Sequence, residues 1–125
     1  MNARYKIVLA IVAGAALGAA AVQGLHAQAK PKAFVITETD VLDAAALAAY
    51  SPLARAAAAG ARRVSPPGGK TVAFVGEAPK RVGIQEWESL EKAQAFRNSD
   101  AFKNLTPQRD KAVKTIRSYA VEVAN

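Results

Sequence analysis

From Ala33 to Val41 apolar and polar positions alternate with a period of two. Phe34 and Ile36 fall on one side of an extended segment, and Val35, Thr37 and Thr39 on the other. Asp43 then stands where a helix N-cap belongs, ahead of an alanine-rich pattern from Ala44 to Ala59 whose large members are Leu47, Tyr50 and Leu53. Ser51-Pro52 predicts a kinked or two-part helix there, and Gly60 a left-handed stop. Arg62 to Ser65 reads as a short strand, Pro66-Pro67-Gly68-Gly69 as a turn, and Thr71 to Gly76 as a further strand. After the turn Glu77-Ala78-Pro79-Lys80, the stretch Arg81 to Trp87 alternates again. Val82, Ile84 and Glu86 lie on one side of it, with Gly83, Gln85 and Trp87 on the other.

This last strand runs without a loop into an amphipathic helix from Leu90 to about Arg97. Ser89 is placed to accept from a backbone N–H near Lys92, and Glu91 puts negative charge in the first turn. Asn98-Ser99-Asp100 recaps a short turn that carries Phe102 and Leu105. Thr106 as N-cap and Pro107 at the first helical position open another helix. The chain closes on a strand from Thr115 to Val123, with Ile116 and Ala120 opposed to Tyr119, Val121 and Val123.

The order β-α-β-β-β-α-α-β is an α+β, ferredoxin-like split βαβ arrangement with one extra hairpin, in which helices cover one face of an antiparallel sheet. On this reading Val82, Ile84 and Glu86 look toward the helices. The other face then carries Val35, Thr37, Trp87, Tyr119, Val121 and Val123, too apolar to be left wet. A second copy related by a two-fold axis is the simplest cover, so a homodimer is expected.

The N-terminus changes the picture of where this domain works. Arg4 and Lys6 precede an uncharged run from Ile7 to Leu25, and Ala27-Gln28-Ala29 supplies the small-x-small pattern of a cleavage site. Residues 1–29 read as a secretory signal peptide cut after Ala29, which leaves residues 30–125 as the domain, periplasmic or secreted. The competing reading retains residues 7–25 as a membrane anchor. Cleavage removes the only histidine, His26, and leaves fifteen Lys plus Arg against ten Asp plus Glu. The basic residues are scattered and not interleaved with stacking aromatics, which argues against nucleic acid as a partner. Cysteine is absent, so there is neither a disulfide nor a thiolate nucleophile.

Read together, several of these residues make the chain similar to a bacterial family, the domain of unknown function numbered 1330. They are Asp43 followed by Tyr50, Gly76 before the turn, the run Arg81-Val-Gly-Ile-Gln-Glu86-Trp-Glu-Ser89, Ala93, Asn98-Ser99 with Phe102, and Arg109. The likeness spans about residues 32 to 123 and implies a dimeric α/β-barrel of the ferredoxin-like superfamily. Two positions depart from the family's habit: Trp87-Glu88 replaces Phe-Pro before the capping Ser, and Phe96-Arg97 replaces a Trp-Tyr pair. The resemblance implies no activity.

Glu86 is the candidate proton acceptor or ligand anchor, because a carboxylate facing helices needs a cationic partner. Arg81 and Arg109 are placed to supply the counter-charge or to grip an anionic ligand. Against this stands a structural ion pair between strand and helix. Tyr50 and Trp87 are candidates to line a small-molecule cleft, set against plain packing, and Ser99 is a candidate hydroxyl ligand, set against helix capping. Glu38, Asp40 and Glu86 lack an imidazole partner, so no metal is expected, and no cofactor. Two functions follow from the sequence. One is a homodimeric domain that binds a small organic molecule, an anion being one option, or merely assembles. The other is a cofactor-free isomerase, lyase or monooxygenase that uses Glu86 and arginines.

Overall fold

The computed structural model describes residues 30–124, so the leader expected over residues 1–29 lies outside the described residues. Strands β1 (Ala33–Val41), β2 (Arg62–Ser65), β3 (Arg81–Trp87) and β4 (Val113–Glu122) form one antiparallel sheet in the order β2-β3-β1-β4. Helix α1 (Ala44–Ala57) joins β1 to β2. Helices α2 (Leu90–Asn98), α3 (Asp100–Lys103) and α4 (Thr106–Ala112) join β3 to β4. This is the ferredoxin-like split βαβ arrangement, with the helices packed on one face of the sheet. Among the described residues no helix is long and apolar enough to cross a membrane.

Cross-strand pairing decides which side chains share a face. Ala33 pairs with Trp87, Val35 with Gln85 and Ala120, Thr37 with Gly83 and Ser118, and Thr39 with Arg81. Val35 and Trp87 are buried with Ala58 of the α1 C-cap and Ala93 of α2, and Phe96 packs against them, so this set faces the helices. The opposite face pairs Phe34 with Glu86 and Val121, Ile36 with Ile84 and Tyr119, and Glu38 with Val82 and Arg117. The expected orientation of β1 and β3 is therefore reversed. Val35, Thr37 and Trp87 look inward, whereas Val82, Ile84 and Glu86 look outward. Tyr119 and Val121 do lie on the face that the helices leave open, at 51% and 45% exposure.

Both faces of β1 carry apolar residues, and β3 sets Val82 and Ile84 on one face against Trp87 on the other, so alternation alone separates the two sides without saying which is inside. Trp87 settles it, being the largest apolar side chain of the pair. Its ring needs space, and Gly60 provides it: a Cβ on Gly60 would come within 3.2 Å of Trp87 Cζ3. Close approach is the reason for that glycine, since its backbone is not left-handed, contrary to expectation; among the described residues the positive-φ glycines are Gly68 and Gly76. Helix α1 also runs unbroken through Pro52, where Ser51 Oγ donates to the Leu47 carbonyl at 2.8 Å.

The strand expected over Thr71–Gly76 does not form. It sits within the long connection from Ser65 to Arg81, closed at its base by Thr71 Oγ1 donating to the Pro79 carbonyl at 2.9 Å, and finds no partner strand. Phe74 and Val75 there are each 96% exposed. Propensity without a ladder partner is not enough to make a strand. The α4 cap differs as well. Leu105 holds the N-cap position with no side-chain bond, and Thr106 Oγ1 instead accepts from Arg109 Nη2 at 3.0 Å.

The caps of α2 and α3 follow the sequence. Ser89 Oγ accepts from Lys92 N at 3.2 Å, and Ser99 Oγ from Phe102 N at 3.3 Å. Ser89 is buried, so water does not replace that acceptor. Ser89→Ala is expected to lower stability by about 1 kcal/mol, seen as a reduced urea midpoint with an unchanged slope.

Candidate functional site

Between the inner face of the sheet and α1, α2, α3 and α4 lies a cavity of ≈ 180 Å³. Its floor is Thr37 and Thr39 of β1 with Arg81, Gly83 and Gln85 of β3, and Arg63 of β2 reaches it from the edge strand. The helices contribute Leu47, Tyr50 and Ser51 from one side, and Phe96, Arg97, Phe102 and Arg109 from the other. Among the described residues five arginines line the cavity, Arg55, Arg63, Arg81, Arg97 and Arg109, and no aspartate or glutamate does.

The guanidinium groups are held by neutral oxygens and an aromatic ring. Arg81 Nη1 donates to Thr39 Oγ1 at 3.1 Å. Arg97 Nη2 donates to Thr37 Oγ1 at 3.5 Å and also to Ser118 Oγ. The ring of Phe102 lies 4.7 Å from the guanidinium carbon of Arg97 and 4.2 Å from that of Arg109. Such stacking suits a delocalised cation on an aromatic face. Arg109 Nη1 is buried and has no hydrogen-bond partner among the described residues. Burial, and next the positive charge of Arg63, pull the Arg81 guanidinium below its ordinary pKa; Tyr50 acts in the opposite direction. Arg97 is pulled down in the same way by burial and then by Arg109, again opposed by Tyr50.

Of the residues singled out from sequence, Tyr50, Arg81 and Arg109 come together on this cavity. Glu86, Trp87 and Ser99 do not. Trp87 is core, stacked on Phe96 with ring centroids 5.1 Å apart. Ser99 bridges two helix ends, donating to the Phe96 carbonyl while capping α3. Glu86 lies on the opposite face of the sheet and pairs with neither Arg81 nor Arg109. Arg62 Nη2 and Lys32 Nζ hold its carboxylate at 2.9 and 3.1 Å. Glu38 and Asp40 have cations of their own, Arg117 and Lys80.

Sequence reasoning missed Arg63, Arg97, Thr37 and Thr39 as cavity residues. A signal existed in the strand pairing. Arg63 opposes Gln85, and Thr39 opposes Arg81, so once Trp87 is assigned to the inside every second residue of β3 brings these partners inward with it.

The Glu86 contacts carry a pH prediction. Hydrogen bonds from Arg62, then from Lys32, hold its pKa at about 2, below the ordinary carboxylate value. A carboxylate depressed in the folded state stabilises above its unfolded pKa and loses that contribution as pH falls through the folded value. The pair's support is therefore complete above about pH 4.3 and gone near pH 2. Glu86→Gln is expected to flatten the acid limb of a thermal-melt series over that window and to leave the site cavity unaltered.

A family model described as a domain of unknown function, DUF1330, matches residues 32–124. The chain belongs to this family. Two solved structures are similar to this DUF1330 domain. The crystal structure of methylated RPA0582 protein shares 16% identity, covers 77% of this chain and 83% of that one, and superposes with a TM-score of 0.60. That of RPA0582, a protein of unknown function from Rhodopseudomonas palustris, shares 17% identity over 77% and 85% of the two chains, with a TM-score of 0.57. At such identities the likeness establishes the fold of this DUF1330 domain. No curated protein matches the chain at a significant level.

Proposed function

We propose that this DUF1330 domain is an exported, homodimeric binding protein for a small organic anion, held in the arginine-lined cavity, without strong catalysis. The observation that carries the reading is the charge imbalance of the site: five lining guanidiniums and no lining carboxylate. Elsewhere in the domain the cations of Arg62, Lys80 and Arg117 have carboxylate partners. An anion entering the cavity supplies the missing charge and a partner for Arg109 Nη1, through bonds of the charge-assisted, bidentate kind. The cavity volume favours a metabolite-sized ligand, since sites for drug-sized molecules start at about 300 Å³.

A catalytic role through Glu86 loses its basis. The side chain is separated from the cavity by the sheet and is held ionised by Arg62 and Lys32, which leaves a weak base. Homodimerisation is supported by the apolar character of the open face, where Phe34, Ile36, Ile84, Tyr119 and Val121 lie together. Export is supported by the leader pattern of residues 1–29.

Thermal-shift measurements against small carboxylates and phosphate test the binding reading. A concentration-dependent rise in Tm with carboxylates, absent with uncharged isosteres, is expected. No response to any anion defeats it. Sedimentation velocity at micromolar concentration tests the dimer, which a stable monomer contradicts, and fractionation of the producing cell tests export.

A further inference from the structure

Arg81 and Arg97 belong to different elements, β3 and α2, yet both reach hydroxyls of β1. Arg81 Nη1 donates to Thr39 Oγ1, and Arg97 Nη2 to Thr37 Oγ1. Thr37 and Thr39 are two positions apart on one strand and point to the same face, so their side chains stand roughly 6–7 Å apart. Arg97 has a second cation beside it, Arg109, across one aromatic ring. That ring is Phe102, on which both members stack. The most firmly held positive charge of the cavity thus stands at two poles, Arg81 on Thr39 and the pair of Arg97 and Arg109 beside Thr37, with Arg55, Arg63 and Tyr50 completing the lining.

A ligand with one acidic group can engage one pole and leaves the other uncompensated in a partly desolvated site. The geometry points to a compact organic dianion carrying two separate carboxylates, one seated at Arg81 and the other at Arg97 and Arg109, with a short aliphatic chain between them. This rests on the anion-binding reading of the cavity and narrows it. A linear dicarboxylate of the succinate-to-adipate range matches the spacing set by Thr37 and Thr39, and the ≈ 180 Å³ volume leaves no space for a bulky linker. Joining two carboxylates on one chain makes the second contact intramolecular, so the affinity gain over a monocarboxylate is large.

The test is calorimetric titration of the protein, in low-salt buffer, with butyrate, succinate, glutarate, adipate and inorganic phosphate. At least one dicarboxylate is expected to bind ten-fold or more tighter than both butyrate and phosphate. Arg81→Met and Arg97→Met are each expected to reduce that dicarboxylate to the affinity of butyrate. Arg81→Gln, which removes the charge and keeps an amide donor facing Thr39, repeats the test of the first pole should Arg81→Met fail to fold. Equal affinities for butyrate and the dicarboxylates overturn the two-pole arrangement and leave the anion site standing, as does phosphate binding tightest of all. Absence of heat with every anion overturns both readings.

Discussion

Trp87→Ala is expected to lower the melting temperature by about 15 °C or more, and to leave the domain largely unfolded under mild denaturing conditions. The cause is how little else fills the core. Its buried apolar members are Ala33, Val35, Ala58, Trp87, Ala93, Ala112 and Val113, so alanines do most of the lining and Trp87 is by far the largest single side chain. Large-to-alanine changes at buried aromatic positions cost about 3–5 kcal/mol, and loss of the stacked pair with Phe96 adds about 0.5–1.5 kcal/mol. Total stabilities run from about 5 to 15 kcal/mol, and a domain this small belongs toward the lower end. Each kcal/mol moves Tm by about 4–8 °C at this size. Relaxation cannot close the gap cheaply, because Gly60, Ala58 and Ala93 around the ring have no side chain long enough to reach into it. Circular dichroism melts measure the effect, and a Tm within about 5 °C of the parent would contradict this account of the core. Since Trp87 is the only tryptophan of the chain, fluorescence of the parent protein reports the same core directly.

The parts of the fold that the sequence made legible are those where a local signal and the tertiary structure agree. Ser89 and Ser99 cap helices because a short hydroxyl side chain competes well for backbone N–H groups at those positions, and nothing in the packing opposes it. The period-two segments Ala33–Val41 and Arg81–Trp87 become the two central strands because each has a partner on both sides. Thr71–Gly76 has the same propensity and no partner, and it stays irregular. The site was legible in part for a different reason. Arg81, Arg109 and Tyr50 stood out as residue types, but their function as a group depends on which face of β3 is inside, a question of volume and close approach that periodicity does not address. Assigning Glu86 to the inner face followed from that gap: with Val82 and Ile84 beside it, the outward side of β3 is as apolar as many inward ones. The carboxylate is tolerated there because Arg62, directly opposite on β2, and Lys32 reach it.

The arginine cluster itself gives the second large prediction, in which stability and binding move in opposite directions. Arg109→Met removes a guanidinium whose buried Nη1 has no partner and which faces the like charge of Arg97. A buried donor left unsatisfied costs about 1–3 kcal/mol. The substitution loses the bond to Thr106 Oγ1, worth about 0.5–1.5 kcal/mol, and the stacking of the cation on Phe102. A methionine sulfur against that ring restores about 0.3–1.5 kcal/mol. The unliganded variant is therefore expected to melt at or above the parent temperature, by up to several degrees. Its affinity for anions should fall at least ten-fold, since hydrogen bonds to charged groups are worth about 1.5–3 kcal/mol and about 1.4 kcal/mol is a factor of ten. Melting curves of parent and variant, each with and without a saturating dicarboxylate, read both quantities in one experiment. A residue kept only to hold α4 in place would give the reverse pattern, with a lower melting temperature and an unchanged ligand-induced shift. A side chain that weakens the empty domain and strengthens the occupied one is held for its ligand.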